Sequence, residues 1–160
     1  MEKIITVTKG SGSGETKLSA FDAALFDAGI ANYNLIRLSS IIPEGYEPKV
    51  EKITMNGSED FGNKLYVVYS SQVENEIGKE AWAGIGWVIT KEKPHRGIFV
   101  EHEGADKSQV EILIAKSLRS MTKYRQEKFS EIHSEICGIK CESKPVCAVV
   151  AAVYKSESWE

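Results

Sequence analysis

Three runs rich in valine, isoleucine, tyrosine and tryptophan, Lys64–Val73, Ala81–Thr90 and Gly97–Glu103, follow one another along the chain. β-Branched and aromatic side chains favour extended backbone because they pack well on a pleated surface. Strands so near in sequence tend to be neighbours in space, so the middle of the chain commits the fold to sheet. Lys3–Thr8, Asn34–Leu38, Glu131–Ile139 and Pro145–Tyr154 read the same way and bring the total to about seven strands. Two stretches carry the helical period instead. Lys17–Ala28 can be capped by Thr16 and ended by Gly29 in a left-handed conformation. From Asp106 to Lys128, Val110, Ile114, Ser117/Leu118, Met121 and Tyr124/Arg125 recur every three or four residues, the mark of an amphipathic helix. Between the elements, Gly10-Ser11-Gly12-Ser13-Gly14 reads as a loop and Asn56-Gly57 as a turn. With no internal repeat and no linker, residues 1–160 form a single domain of the α+β class, a sandwich.

Charge and composition remove several functions. Lys and Arg number 20 against 23 Asp and Glu, a net charge of −3, so the basic footprint of a nucleic-acid binder is missing. No apolar stretch approaches the ~20 residues that span a bilayer, so no membrane partner is expected. Met1–Val7 lacks the long apolar core of a signal peptide. Three cysteines, an odd number, suggest free thiols in a reducing compartment, hence a cytoplasmic protein.

Two motifs look chemical and fail on the residues that matter. Strand, glycines, helix is a phosphate-binding arrangement, but Glu15 stands where the dinucleotide fingerprint needs its last glycine. The same acid replaces the phosphate lysine of a P-loop. His133, Cys137, Cys141 and Cys147 supply four zinc-ligand types but no paired-cysteine knuckle, so no metal is expected.

Three features admit a chemical reading beside a structural one, which would be in turn an acid paired with an arginine or a backbone donor, a solvated strand end, and a bulge or strand end. Asp22 lies between Leu18 and Phe26 at helical spacing, on an apolar face where a carboxylate needs a partner or a cavity. Glu101 and Glu103 alternate with His102, so both acids point to one side of their strand. Two close like charges raise at least one pKa and can provide a proton donor at neutral pH. Ser39-Ser40 interrupts an apolar strand between Leu38 and Ile41.

Asn34-Leu35-Ile36-Arg37-Leu38-Ser39-Ser40-Ile41-Ile42-Pro43 as a block resembles the self-cleavage site of pyruvoyl-dependent arginine decarboxylases. Ser19–Leu25 and Ala28–Asn32 resemble that family's first helix and its end, and Gly97–Gly104 its later catalytic strand. The resemblance covers essentially the whole chain. It implies a four-layer αββα sandwich and a homotrimer of cleaved αβ protomers with active sites between neighbours. It implies conversion of L-arginine to agmatine and CO2, within polyamine synthesis or acid resistance.

Decarboxylation leaves an electron pair on Cα, and no ordinary side chain absorbs it. The resemblance implies a covalent pyruvoyl group made from Ser40, with no metal and no PLP. Ser40 would attack the Ser39 carbonyl and form an ester, and β-elimination would then split the chain into a β chain 1–39 and an α chain 40–160. Hydrolysis of the dehydroalanine so formed would leave the ketone. Asn34 is expected to stabilise the oxyanion of that shift and, with Ser39, to position the substrate; Glu101 to reprotonate Cα; Asp22 to take the guanidinium. Glu103 is expected only to tune Glu101. The rival readings are a pyruvoyl decarboxylase for another amino acid, such as histidine, and a relative that never cleaves and serves as a binding protein. An activity panel over amino acids separates the first from the main reading, and intact mass of the chain separates the second, with Ser40→Ala as the control. The variant should stay one full-length species by intact mass, while the native chain yields fragments ending at Ser39 and beginning at residue 40.

Overall fold

The computed structural model describes residues 3–54 and 59–160. Its elements are β1 (Ile4–Ser13), α1 (Lys17–Ala28), β2 (Asn34–Arg37), β3 (Ile41–Ile42), β4 (Glu47–Val50), β5 (Lys64–Glu74), β6 (Glu80–Ile89), β7 (Gly97–Gly104), α2 (Lys107–Lys123), β8 (His133–Lys140) and β9 (Val146–Glu157). They make a larger sheet in the order β2-β5-β9-β1-β4 and a smaller one in the order β3-β7-β6-β8. This is an α+β chain of two helices and mostly sheet. No helix among the described residues is long and apolar enough to cross a membrane.

β9 shows why the sequence folds this way. It is buried on both faces, so it reads as one apolar run rather than an alternation. Val146, Ala148, Val150 and Ala152 join Ile5, Val7, Ile85 and Phe99 in a cluster shared by the two sheets. The other face of the strand, Cys147, Val149 and Ala151, packs with Ala20, Ala24 and Ala28 of α1. On the smaller sheet Val110, Ile114 and Leu118 of α2 cover Val88, Ile98 and Val100.

The glycine-rich segment is not a loop. β1 runs through it and pairs with β9 as far as Gly12 opposite Cys147 and Ser13 opposite Val146. Gly10, Gly12 and Gly14 all face α1. A Cβ on Gly10 would collide with the backbone of Ala24 and Ala28, and one on Gly12 would stand 2.7 Å from the Ala23 methyl. The glycines are there so that an alanine-faced helix can lie directly on the strand, a use of glycine that composition alone cannot separate from turn formation. Thr8, one step earlier on the same face, donates its hydroxyl to the Ala28 carbonyl at 2.7 Å.

Other differences are smaller. Thr16 and Gly29 cap α1 as expected, with Gly29 at φ 80°. α2 stops at Lys123, short of Lys128, where the Arg125 N–H turns to the Thr122 carbonyl and the Arg125 guanidinium donates to that of Met121. β3 and β4 were not legible as strands. They are too short for a periodic pattern, and Pro48 is tolerated because β4 lies at a sheet edge. The expected turn at Asn56-Gly57 lies outside the described residues. Gly10→Ala should destabilise the protein by about 1–3 kcal/mol, the usual cost of overpacking. Urea unfolding measures this, and an unchanged midpoint would show that α1 does not rest on β1.

Candidate active site

β2 is an edge strand of the larger sheet and β3 an edge strand of the smaller one, and the chain crosses from one to the other through Leu38-Ser39-Ser40. The crossing is pinned at both ends. Leu38 donates its N–H to the Val67 carbonyl on β5 at 3.0 Å, and the Ser40 carbonyl accepts from Phe99 N–H on β7 at 2.8 Å. The sharp change of direction puts Ser40 at φ 74°. A serine gains nothing from that left-handed region, and holding it there costs of order 1–3 kcal/mol.

The Ser40 side chain supplies one of the restraints that offset this cost. Its hydroxyl donates to Glu101 Oε2 at 2.9 Å. A hydrogen bond to a charged acceptor contributes about 1.5–3 kcal/mol, comparable with the strain. Glu101 is half-buried on β7, and among the described residues no cation is paired with it. Tyr154, at the inward face of β9, lies close by. Its hydroxyl donates to the Ile41 carbonyl at 2.7 Å and its ring meets Phe99 edge-on at 6.2 Å. Burial, and then the Glu101 charge, push the phenol well above its ordinary pKa, so it remains a donor.

Alternation along β7 sends His102 to the opposite face and keeps Glu103 on the face of Glu101. His102 turns to the α2 side, with Nε2 2.7 Å from Ser117 Oγ. Glu103 is exposed and reaches Ser70 Oγ at 3.4 Å. The buried Ser70 hydroxyl also donates to the His102 carbonyl at 2.6 Å, tying β5 of one sheet to β7 of the other beside Glu101.

Ser39, Ser40 and Glu101 are therefore brought together, whereas Asn34 and Asp22 are not. Asn34 begins β2, about 16 Å of extended chain from Ser39. Its Nδ2 donates to the Gly62 carbonyl at 2.8 Å. Within one chain it is not aimed at the Ser39 carbonyl, contrary to the oxyanion role expected of it. Asp22 also departs from expectation. The buried stripe of α1 is Ala20, Ala24, Leu25 and Ala28, with Ala24 and Ala28 lying directly against the glycines of β1. Leu18 is 77% and Phe26 48% exposed, and Asp22 between them is exposed. Among the described residues it has no partner within the chain, and α1 packs on the far side of the larger sheet from Glu101. The argument from a buried acid thus fails for a single chain.

Tyr154, Phe99 and Ser70 escaped the sequence reading. A signal existed for Tyr154. The period of two places it on the inward face of β9 after Val146, Ala148, Val150 and Ala152, and its hydroxyl needs a partner there.

The sequence profile of the pyruvoyl-dependent arginine decarboxylases matches residues 4–159. This chain belongs to that family. Relatives named as pyruvoyl-dependent arginine decarboxylase include one from Thermococcus sibiricus, 33% identical over 144 residues and covering 89% of each chain. Another from Pyrococcus abyssi is 35% identical over 141 residues, 88% of this chain and 87% of its own. One from Methanocaldococcus jannaschii is 36% identical over 120 residues, 74% of this chain and 67% of its own. A solved pyruvoyl-dependent histidine decarboxylase aligns at a TM-score of 0.47 and 13% identity, over 67% of this chain and 56% of that one.

The zinc-type residues do not gather. His133 is exposed and stacks on Trp87, Cys141 Sγ lies near the Lys144 carbonyl, and Cys147 is buried on the α1 side. No group of three or more possible ligands occurs among the described residues. Burial, and then the proximity of Cys137, push the Cys147 thiol up to about 11, and burial also raises Cys137. At pH 8 a native sample treated with a thiol reagent should leave Cys141 and Cys147 unlabelled, whereas denaturant should expose all three cysteines. Peptide mapping that finds Cys147 modified rapidly in native protein would contradict this burial.

Proposed function

We propose that this chain cleaves itself between Ser39 and Ser40 and then decarboxylates L-arginine to agmatine and CO2. The observation that carries the reading is the Ser40 conformation: a serine held at φ 74° with its hydroxyl on a carboxylate and its carbonyl on a backbone N–H. Glu101 accepts the hydroxyl proton as Ser40 Oγ attacks the Ser39 carbonyl carbon. The C–N bond gives way to an ester, which relieves the strained crossing. Loss of the residue-40 Cα proton and expulsion of the Ser39 carboxylate from Cβ then part the chain at that point. Water converts the resulting dehydroalanine to the pyruvoyl group, with release of ammonia. The products are the fragments 1–39 and 40–160, which make up one decarboxylase domain.

These residues fit such a group. Phe99 N–H holds the residue-40 carbonyl, and Glu101 stands beside the position of its side chain. The pyruvoyl ketone supplies the electron sink for the carbanion left when CO2 departs. Glu101 then holds the proton that is returned to the substrate Cα. Ser39 remains at the site, since Leu38 keeps its hydrogen bond to β5, and its hydroxyl helps to place the substrate.

The layers are read as an αββα four-layer sandwich: α1, the larger sheet, the smaller sheet, α2. The exposed Leu18 and Phe26 support a homotrimer, because an uncovered apolar stripe on a helix is costly in water. A neighbouring copy seated on it would let Asp22 grip the planar guanidinium of arginine bound at an adjoining protomer, and would let Asn34 serve a site other than its own. Free thiols agree with work in a reducing cytoplasm.

The test combines processing and turnover. The purified chain should give the two fragments by intact mass and release CO2 from arginine in preference to histidine and lysine. Glu101→Gln keeps an oxygen to accept the Ser40 hydroxyl, so it should still cleave, more slowly, while kcat falls at least about 100-fold. A Glu101→Gln protein with native turnover would remove Glu101 as the proton donor, and a native chain that never cleaves would overturn the function.

A further inference from the structure

We propose that Tyr154 is a positioning residue that anchors the new chain end created by self-cleavage, through the bond from its hydroxyl to the Ile41 carbonyl. The inference rests on the cleavage reading above. Before scission, residue 40 is tethered on both sides. Afterwards it is the first residue of a fragment, and chain ends fray unless they are tied down. The strand that follows it, β3, has only two residues, Ile41 opposite Ile98 and Ile42 opposite Gly97.

Antiparallel pairing explains why a side chain is needed. Alternate residues of such a strand turn their N–H and C=O toward the partner, and the others turn them away. Ser40 is the residue that faces β7, giving its carbonyl to Phe99 N–H. Ile41 therefore turns its carbonyl away from β7, out of an edge strand, where Tyr154 receives it from the opposite sheet. The Tyr154 ring packs edge-on against Phe99, whose N–H is the other anchor. One side chain thus braces both hydrogen bonds that fix residues 40 and 41. Its raised pKa keeps the phenol protonated as a donor throughout the working range. A reactive group has to be held within about 0.5 Å of its productive position, which a frayed end is not.

Tyr154→Phe tests this, since it keeps the ring against Phe99 and deletes only the hydroxyl. The variant should cleave at close to the native rate. In the cleaved protein, amide hydrogen exchange at Ile42 and at Phe99, whose N–H holds the residue-40 carbonyl, should be about tenfold faster than in the native enzyme, as loss of one hydrogen bond implies. In an uncleaved Ser40→Ala background the same substitution should leave that exchange nearly unchanged. Turnover should fall through kcat, again about tenfold, with KM little altered. A cleaved Tyr154→Phe protein that matches the native enzyme in exchange and in kcat overturns the anchor alone. Equal acceleration of exchange in the uncleaved background also overturns it, because the bond would then be merely structural. A native chain that remains one species overturns the cleavage reading, and this inference with it.

Discussion

Ser40 occupies a backbone conformation that it would leave if nothing held it. The structure holds it because the chain must pass from the edge of one sheet to the edge of another within a few residues, and both sheets grip it. β5 takes Leu38, β7 takes the Ser40 carbonyl, and Glu101 takes the hydroxyl. Strain of this kind persists only where the surroundings over-determine it. The surroundings here are the two packed sheets, so their packing is what holds Ser40 at positive φ. β1 is paired between β9 and β4, so the segment that precedes Ser39-Ser40 is held in the sheet by strands that follow it.

The closeness of the layers depends on small side chains. β1 presents glycines and α1 presents alanines, which lets the helix lie almost on the strand backbone. Leu18 and Phe26 lie off that face and point outward. An economical contact within the chain and an apolar stripe on its surface are therefore two faces of one helix. Asp22 rides on that stripe, so its environment is set by whatever covers the stripe and not by the chain's own core.

Much of this was legible in the residues. The long strands and both helices follow from periodicity and capping, and Glu101 and His102 take opposite sides as alternation requires. The glycine segment misled because glycine serves turns and close packing equally well, and only the neighbouring helix distinguishes them. β3 and β4 were missed because two to four residues carry no period. The Asn34 and Asp22 roles came from pattern. In a single chain both side chains face away from Ser40, because strand length and helix packing, which the pattern does not encode, decide where they point.

The sequence by itself determined the α+β class and the family, since these reside in local patterns and in a block of adjacent residues. Only the tertiary structure decided that Ser40 is twisted to positive φ, that Glu101 receives its hydroxyl, and that Tyr154 holds the residue that follows. Those facts join positions tens of residues apart and come from two sheets pressing together. Contacts of that range are made by packing, and packing cannot be read from one position at a time.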